Sequence, residues 1–406
     1  MNTPITDKDD RRFFSILFTL SFLLLAYIAY QAPLSADDLE FSRYDFSFSE
    51  KLQFALHYGN GRILGNLFAL ILIHGGILDA LLRAFVFTSV IFLLPRVLEL
   101  RSRIVYIFSF LLICGMNPRI FAQVYSWMCA FINYVPPIIL TLLILRIYQR
   151  ARSFTTVRYY LAVAAVFLMG TASQLFVEHS TLFQIILAVL TVVHAWFLKK
   201  GDRWISVSWF IATLLGACVM FAIPKLFYIL DNHTVGYREF MSGGLLAILT
   251  TAMDNFTELY KYLISCHVAL TVLVLCTGIL MYHCNLTHQC KPYLFILVLL
   301  FLVNYFFGLG FWDGAFGMLR KFMLIIRNLY LIVLCFCIIF CAANSQQRNR
   351  LLLLGVLFIC ALTPLLVVSP ISERLVFLGY LCFVGSLLIG IEITIQYLSA
   401  DTINSL

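Results

Sequence analysis

Hydrophobic residues in this chain recur as long unbroken runs separated by short polar stretches, not as alternating or helical-face patterns. The first run covers 13–30, and others follow at 63–95, 104–116, 134–148, 159–173, 182–197, 205–222, 259–282, 293–311, 322–342, 351–368 and 375–397. An uncharged run of about 20 residues is what an α-helix needs to cross ~30 Å of hydrocarbon. Inside a bilayer every backbone amide needs an internal partner, so spanning segments are helices or closed barrels, and runs without alternation exclude the barrel. The pattern predicts an all-α integral membrane protein, a polytopic bundle of about 12–13 transmembrane helices forming one domain over 1–406. The two longest extramembrane stretches are expected at 31–61 and 224–258.

Composition sharpens this reading. Of 406 residues, 62% are hydrophobic and 12% charged, against about 25% charged in a soluble domain. The net charge of +8 comes from short clusters between apolar runs, which argues for membrane-face loops and against nucleic-acid binding. Placing the N-terminus in the cytoplasm gathers Lys8, Arg11, Arg12, Arg96, Arg101, Arg103, Arg146, Arg150, Arg152, Arg158, Lys199, Lys200, Arg203, Lys291, Arg348 and Arg350 on one side. The acidic first loop then lies outside, provided that 63–95 makes one net crossing with a re-entrant or interfacial part, although Gly75-Gly76 could divide it into two helices. Arg11-Arg12 ahead of the first run also fits a signal peptide, but the run is long for one and the rest of the chain is itself membrane-like. The twelve cysteines lie mostly inside apolar runs, where they act as small hydrophobes and give no disulfide framework.

Several polar groupings stand out from this background. Asp37 and Asp38, directly after the first helix, can serve as a general base, bind a divalent cation such as Mg or Mn through hard oxygens, or form an ordinary solvated loop. His57-Tyr58-Gly59-Asn60-Gly61-Arg62 opens the next helix, and Arg62 can grip a phosphate or simply snorkel. Trp127, Asn133 and Tyr134 combine aromatic faces with an amide, suited to a sugar or headgroup and equally to an interfacial belt. Glu178 and His179 sit between two apolar runs, where a carboxylate faces a cavity, finds a partner or ends a loop in water. Arg238, Arg320, Lys321 and Arg374 are external cations that run against the positive-inside trend and suit an anionic substrate, or equally structural pairing, for example around Glu373. His283-Cys284 with His288 and Cys290 fits no regular zinc spacing. Asn232, Asn255 and Asn285 begin triplets of the glycosylation-acceptor type, which also arise by chance.

In order along the chain, Asp37-Asp38, Asn60-Gly61-Arg62, Trp127 with Asn133-Tyr134, Glu178 and Arg374 resemble the bacterial polytopic glycosyltransferases of the GT-C class, near the O-antigen glucosyltransferase (GtrII-like) group. Two departures stand beside the match: Met128-Cys129-Ala130-Phe131-Ile132 replaces the small residue and Gly that usually follow the Trp, and Gly236 lacks the usual preceding Pro. The resemblance implies a GT-C-like bundle in the bacterial inner membrane and inverting transfer of a sugar from a polyprenyl-phosphate donor. The acceptor would be a glycan or lipid on the extracytoplasmic face. It implies Asp37 as base, with Asp38 supporting it or binding a cation. Arg62, Arg238 and Arg374 would hold phosphate, while Asn60, Trp127, Asn133, Tyr134, Glu178 and His179 would line the pocket. Rival readings are a glycolipid or polysaccharide transporter, which should show internal repeats, broken helices and midplane charges, and an O-antigen-type polymerase or ligase.

Overall fold

A computed structural model describes residues 8–43, 45–57, 60–199, 201–222, 234–235, 238–240, 245–283, 329, 332–369 and 371–404. Helices dominate: α1 (Lys8–Gln31), α2 (Asp37–Phe41), α3 (Phe48–His57), α4 (Ile63–Leu72), α5 (Ile77–Val97), α6 (Arg103–Cys114), α7 (Pro118–Phe121), α8 (Met128–Tyr134) and α9 (Pro136–Arg150). After them come α10 (Thr156–Gln174), α11 (Glu178–Trp196), α12 (Arg203–Phe221), α13 (Leu245–Ile264), α14 (His267–His283), α15 (Ile332–Ala342), α16 (Ser345–Leu362) and α17 (Phe377–Asn404). Among the described residues, eight helices are long and apolar enough to cross a membrane, or ten when each of two bent pairs counts as one span. The expected run at 293–311 and the cations Arg320 and Lys321 lie outside the described residues. So do Lys200 and the loop carrying Cys284, His288 and Cys290. One addition to the all-α expectation is a minimal antiparallel sheet, β1 (Thr234–Val235), β2 (Arg238–Phe240) and β3 (Val368–Ser369), in the order β1-β2-β3.

Bonds between element ends sort the bundle into two poles. At the basic pole, Arg103 pairs with Asp10, Arg146 donates to the Arg96 carbonyl (3.3 Å), Gln149 to the Val97 carbonyl (2.6 Å) and Arg152 to the Gly201 carbonyl (3.2 Å). Arg350 joins this pole by donating to the Leu98 carbonyl and pairing with Glu99. At the opposite pole, Tyr125 donates to the Leu25 carbonyl (2.7 Å), His179 bonds the Ala361 carbonyl (2.6 Å) and Tyr380 donates to the Leu112 carbonyl (2.6 Å). The clusters of Arg and Lys expected to share one side therefore do so wherever they are described.

The poles also show how 63–95 is threaded. Arg62, at the start of α4, pairs with Glu178, and Arg83 in α5 donates to Ala29 at the end of α1 (3.0 Å), so both helices begin at the same pole. Ten residues of α4 extend only about 15 Å, too short to cross. The run thus makes one net crossing, carried by α5. Between the helices Gly76 adopts φ 51°, a left-handed conformation that glycine enters without a Cβ clash.

The regions expected as loops hold further helices at this pole: α2 and α3 within 31–61, and α13, which begins within 224–258 and runs on into the next apolar run. α13 meets α14 at a bend of 71°, and the α6–α7 pair bends by 86°. Asn255 of α13 is buried and donates to the carbonyls of Leu365 (3.3 Å) and Leu366 (2.9 Å). That use of its amide removes it as a glycan acceptor; Asn232 and Asn285 lie outside the described residues.

Candidate functional site

The two adjacent aspartates have separate environments. Asp38 is fully buried. Its Oδ1 accepts the Cys129 N–H (2.8 Å), and its Oδ2 accepts those of Met128 and Ser35 (3.2 Å each). A carboxylate there satisfies the unpaired first amides of α8 and ties the turn before α2 to that helix. Successive helical residues point about 100° apart, so with Asp38 turned inward Asp37 is exposed. Asp37 remains within electrostatic reach of Arg62. Among the described residues no three His, Cys, Asp or Glu side chains group as a metal site.

Arg62 forks onto Glu178, the first residue of α11, with Nε 3.2 Å from both carboxylate oxygens and a terminal nitrogen 2.8 Å from Oε2. Burial opposes its charge, but Glu178, Tyr134 and Asp37 outweigh that and raise its pKa above the ordinary arginine value. The guanidinium is therefore permanently cationic. Asn60 accepts the Arg62 backbone N–H (3.0 Å) and the Asn66 amide (2.9 Å), which fixes the turn that aims Arg62. Leu64 donates its N–H to the Leu175 carbonyl (3.0 Å), seating α4 on the turn before Glu178.

The third grouping centres on α8. Chain from α7 enters it through a π-helical turn, Ala122–Ser126, a distortion common at functional sites. The Arg374 guanidinium lies 4.2 Å from the Trp127 ring centre and 5.8 Å from that of Tyr134, close enough for cation–π attraction. Gln123 donates to Glu373 (2.5 Å) and accepts the Arg374 backbone N–H (3.3 Å), fastening the segment before α17 to the π turn. Asn133 gives its amide N–H to the Cys129 carbonyl (2.7 Å). A Cβ on Gly65 would overlap its Oδ1, so glycine there lets α4 approach α8.

Tyr134 is thus near Arg374 and within electrostatic reach of Arg62. Trp127 Nε1, Arg374 Nε and Ser372 Oγ, on the two segments that meet at the Arg374–Trp127 contact, are buried without a hydrogen-bond partner among the described residues, as is Asn133 Oδ1 against Gly65. Orphaned buried polar atoms cost free energy, and those on the segments joined by the Arg374–Trp127 contact mark a position where another molecule can bond. Arg238 comes to the same pole on β2, beside the strand that precedes Arg374. His179 stands apart, since its ring is spent on holding α16 to α11.

Two residues that the sequence reading passed over belong to the supporting structure. Asp79 and Arg83 form a buried ion pair (2.5 Å) on α5. Arg83 also donates to the carbonyls of Tyr125 (3.3 Å), Ser126 (3.1 Å) and Ala29, capping both the π turn and α1. Opposite charges four residues apart inside an apolar run were the available signal.

Fold and site together define a multi-pass helical membrane protein with a polar, cation-containing site at the pole opposite its basic clusters. No family model, curated protein or solved structure matches the chain.

Proposed function

We propose that this protein is a GT-C-type membrane glycosyltransferase that moves a sugar from a polyprenyl-phosphate donor to a glycan or lipid acceptor at the extracytoplasmic face. The observations that carry the reading are Arg62 within electrostatic reach of Tyr134 and the exposed Asp37, Arg374 over Trp127 and near Tyr134, and buried polar atoms on those last segments that lack partners among the described residues. Two cations suit a phosphate leaving group, and a free carboxylate suits removal of the acceptor hydroxyl proton. By the positive-inside rule the basic pole is cytoplasmic and the site faces outward, with the N-terminus inside. Asp38, its oxygens taken by backbone amides, acts as a positioning residue. A divalent cation, if the reaction uses one, would draw on Asp37.

The test is transfer of radiolabelled sugar from a polyprenyl-phosphate sugar by the purified protein. Wild type should consume the donor, and Asp37→Asn should reduce turnover by at least about 100-fold, the scale of general-base loss. No consumption with any such donor, or an unchanged rate in Asp37→Asn, rejects the reading.

A transporter is the second reading, favoured by the two bent helix pairs and the buried Asp79–Arg83 pair, since broken helices and buried charge are transporter features. Movement of labelled glycolipid across proteoliposomes without bond cleavage would distinguish it.

A further inference from the structure

A cavity lies away from the site. About 1000 Å³ in volume, it is enclosed by α5, α9, α11, α16 and α17, with Leu142, Phe183, Leu187 and Leu354 among its walls. Along α11 its lining runs from Ser180 to His194, roughly 20 Å at 1.5 Å per residue, or about two-thirds of a bilayer's hydrocarbon depth. The walls are mostly apolar along this length, with Thr141 and Ser180 as exceptions, and the rest of the polar lining, including Glu99, Gln149, His194, Gln346, Asn349 and Arg350, gathers toward the basic pole.

Protein interiors hold few voids larger than a water molecule, and an apolar space gives water few partners. The medium around these helices is lipid, so a hydrocarbon chain is the filling that matches the walls. Charge at the mouth selects the headgroup. Arg146 donates to Gln149 (3.1 Å) and lies within electrostatic reach of Arg150 and Arg96. In the lining itself Arg350 pairs with Glu99, so the excess positive charge beside the mouth comes from Arg96, Arg146 and Arg150 just behind it. We infer that this cavity binds one acyl chain of an anionic glycerophospholipid from the leaflet at the basic pole, its phosphate held at the rim by Gln149, Asn349 and neighbouring arginines. Such a lipid presents its headgroup at the pole opposite Asp37 and is not the sugar donor, so the inference stands apart from the catalytic reading.

Thermal unfolding of the purified full-length protein in mild detergent tests it, with added phosphatidylglycerol or phosphatidylcholine. A ligand bound only by the folded state raises the midpoint, and phosphatidylglycerol should exceed phosphatidylcholine by at least about 3 °C. Leu187→Trp, which fills the cavity, should abolish that difference. Equal shifts for both lipids in wild type, or an undiminished difference in a folded Leu187→Trp protein, overturn the inference. Should that variant not fold, phosphatidylglycerol carrying a photoreactive group in mid-chain is applied to wild type. Adducts on peptides containing Leu142 or Leu187 support the cavity, and adducts confined to the outward-facing Leu161 and Leu168 overturn it.

Discussion

Arg62 and Glu178, 116 positions apart in sequence, meet through both the Nε and a terminal nitrogen of the guanidinium. The pair fastens the start of α4 to the start of α11, and it presents a cation beside Asp37 and Tyr134. Both side chains are partly open, with 22% and 38% of their surfaces exposed, so solvent screens much of the attraction.

Removing that link should therefore cost little stability and much function. Glu178→Gln is expected to destabilise by about 1 kcal/mol or less, whereas Arg62→Gln should lose donor turnover by at least about 100-fold through weaker leaving-group stabilisation. Melting curves and transfer assays on the same preparations check both outcomes.

The aspartate pair should divide cleanly between folding and chemistry. Asp38→Ala leaves three backbone N–H groups without their acceptor and should destabilise by about 3 kcal/mol. Asp37→Asn, at an exposed position, should change stability by no more than about 0.5 kcal/mol while lowering transfer by at least about 100-fold. Comparable melting losses in the two variants would contradict the assigned roles.

Breaking the buried pair on α5 should be severe. Arg83→Leu strands Asp79 and uncaps three carbonyls, so a loss of about 3–5 kcal/mol is expected. The double change Asp79→Leu with Arg83→Met should recover part of it, because no isolated charge remains. A double variant no better folded than Arg83→Leu, by size-exclusion profile and melting, would show that the carbonyl contacts matter more than the charge.

The threading of α4 and α5 predicts which loops share a side. Reporter fusions after Ser153 and after Gly201 should report the same compartment, and fusions after Asp45 and after Ala222 should report the other. A reporter after Ile73 should agree with the Asp45 fusion, since α4 does not cross. Agreement with Ser153 instead would mean that α4 spans the membrane.

Much of the architecture was legible because it rests on local properties. Whether a run such as 159–173 or 375–397 is long and apolar enough to span depends on its own residues, and helices α10 and α17 lie there. The single net crossing of 63–95 followed from charge bookkeeping across loops and agrees with the shared pole of Arg62 and Arg83. Composition also drew attention to Asp37, Arg62, Trp127, Glu178 and Arg374 as polar residues at the ends of apolar runs. It could not reveal that Gln123 braces Glu373, or that α2, α3 and α13 occupy the stretches expected as loops, because those depend on distant partners.

The sequence by itself determined that the chain is a membrane-embedded helical bundle with basic and acidic stretches on opposite sides, since hydrophobic length and charge placement act through the surrounding solvent. Only the tertiary structure decided which of two neighbouring carboxylates is buried against α8 and which is open. It also decided that Arg62 finds Glu178 and that Arg374 rests on Trp127. Those outcomes depend on the direction in which each side chain leaves its helix and on which other helix packs there, and neither is written in any short stretch of sequence.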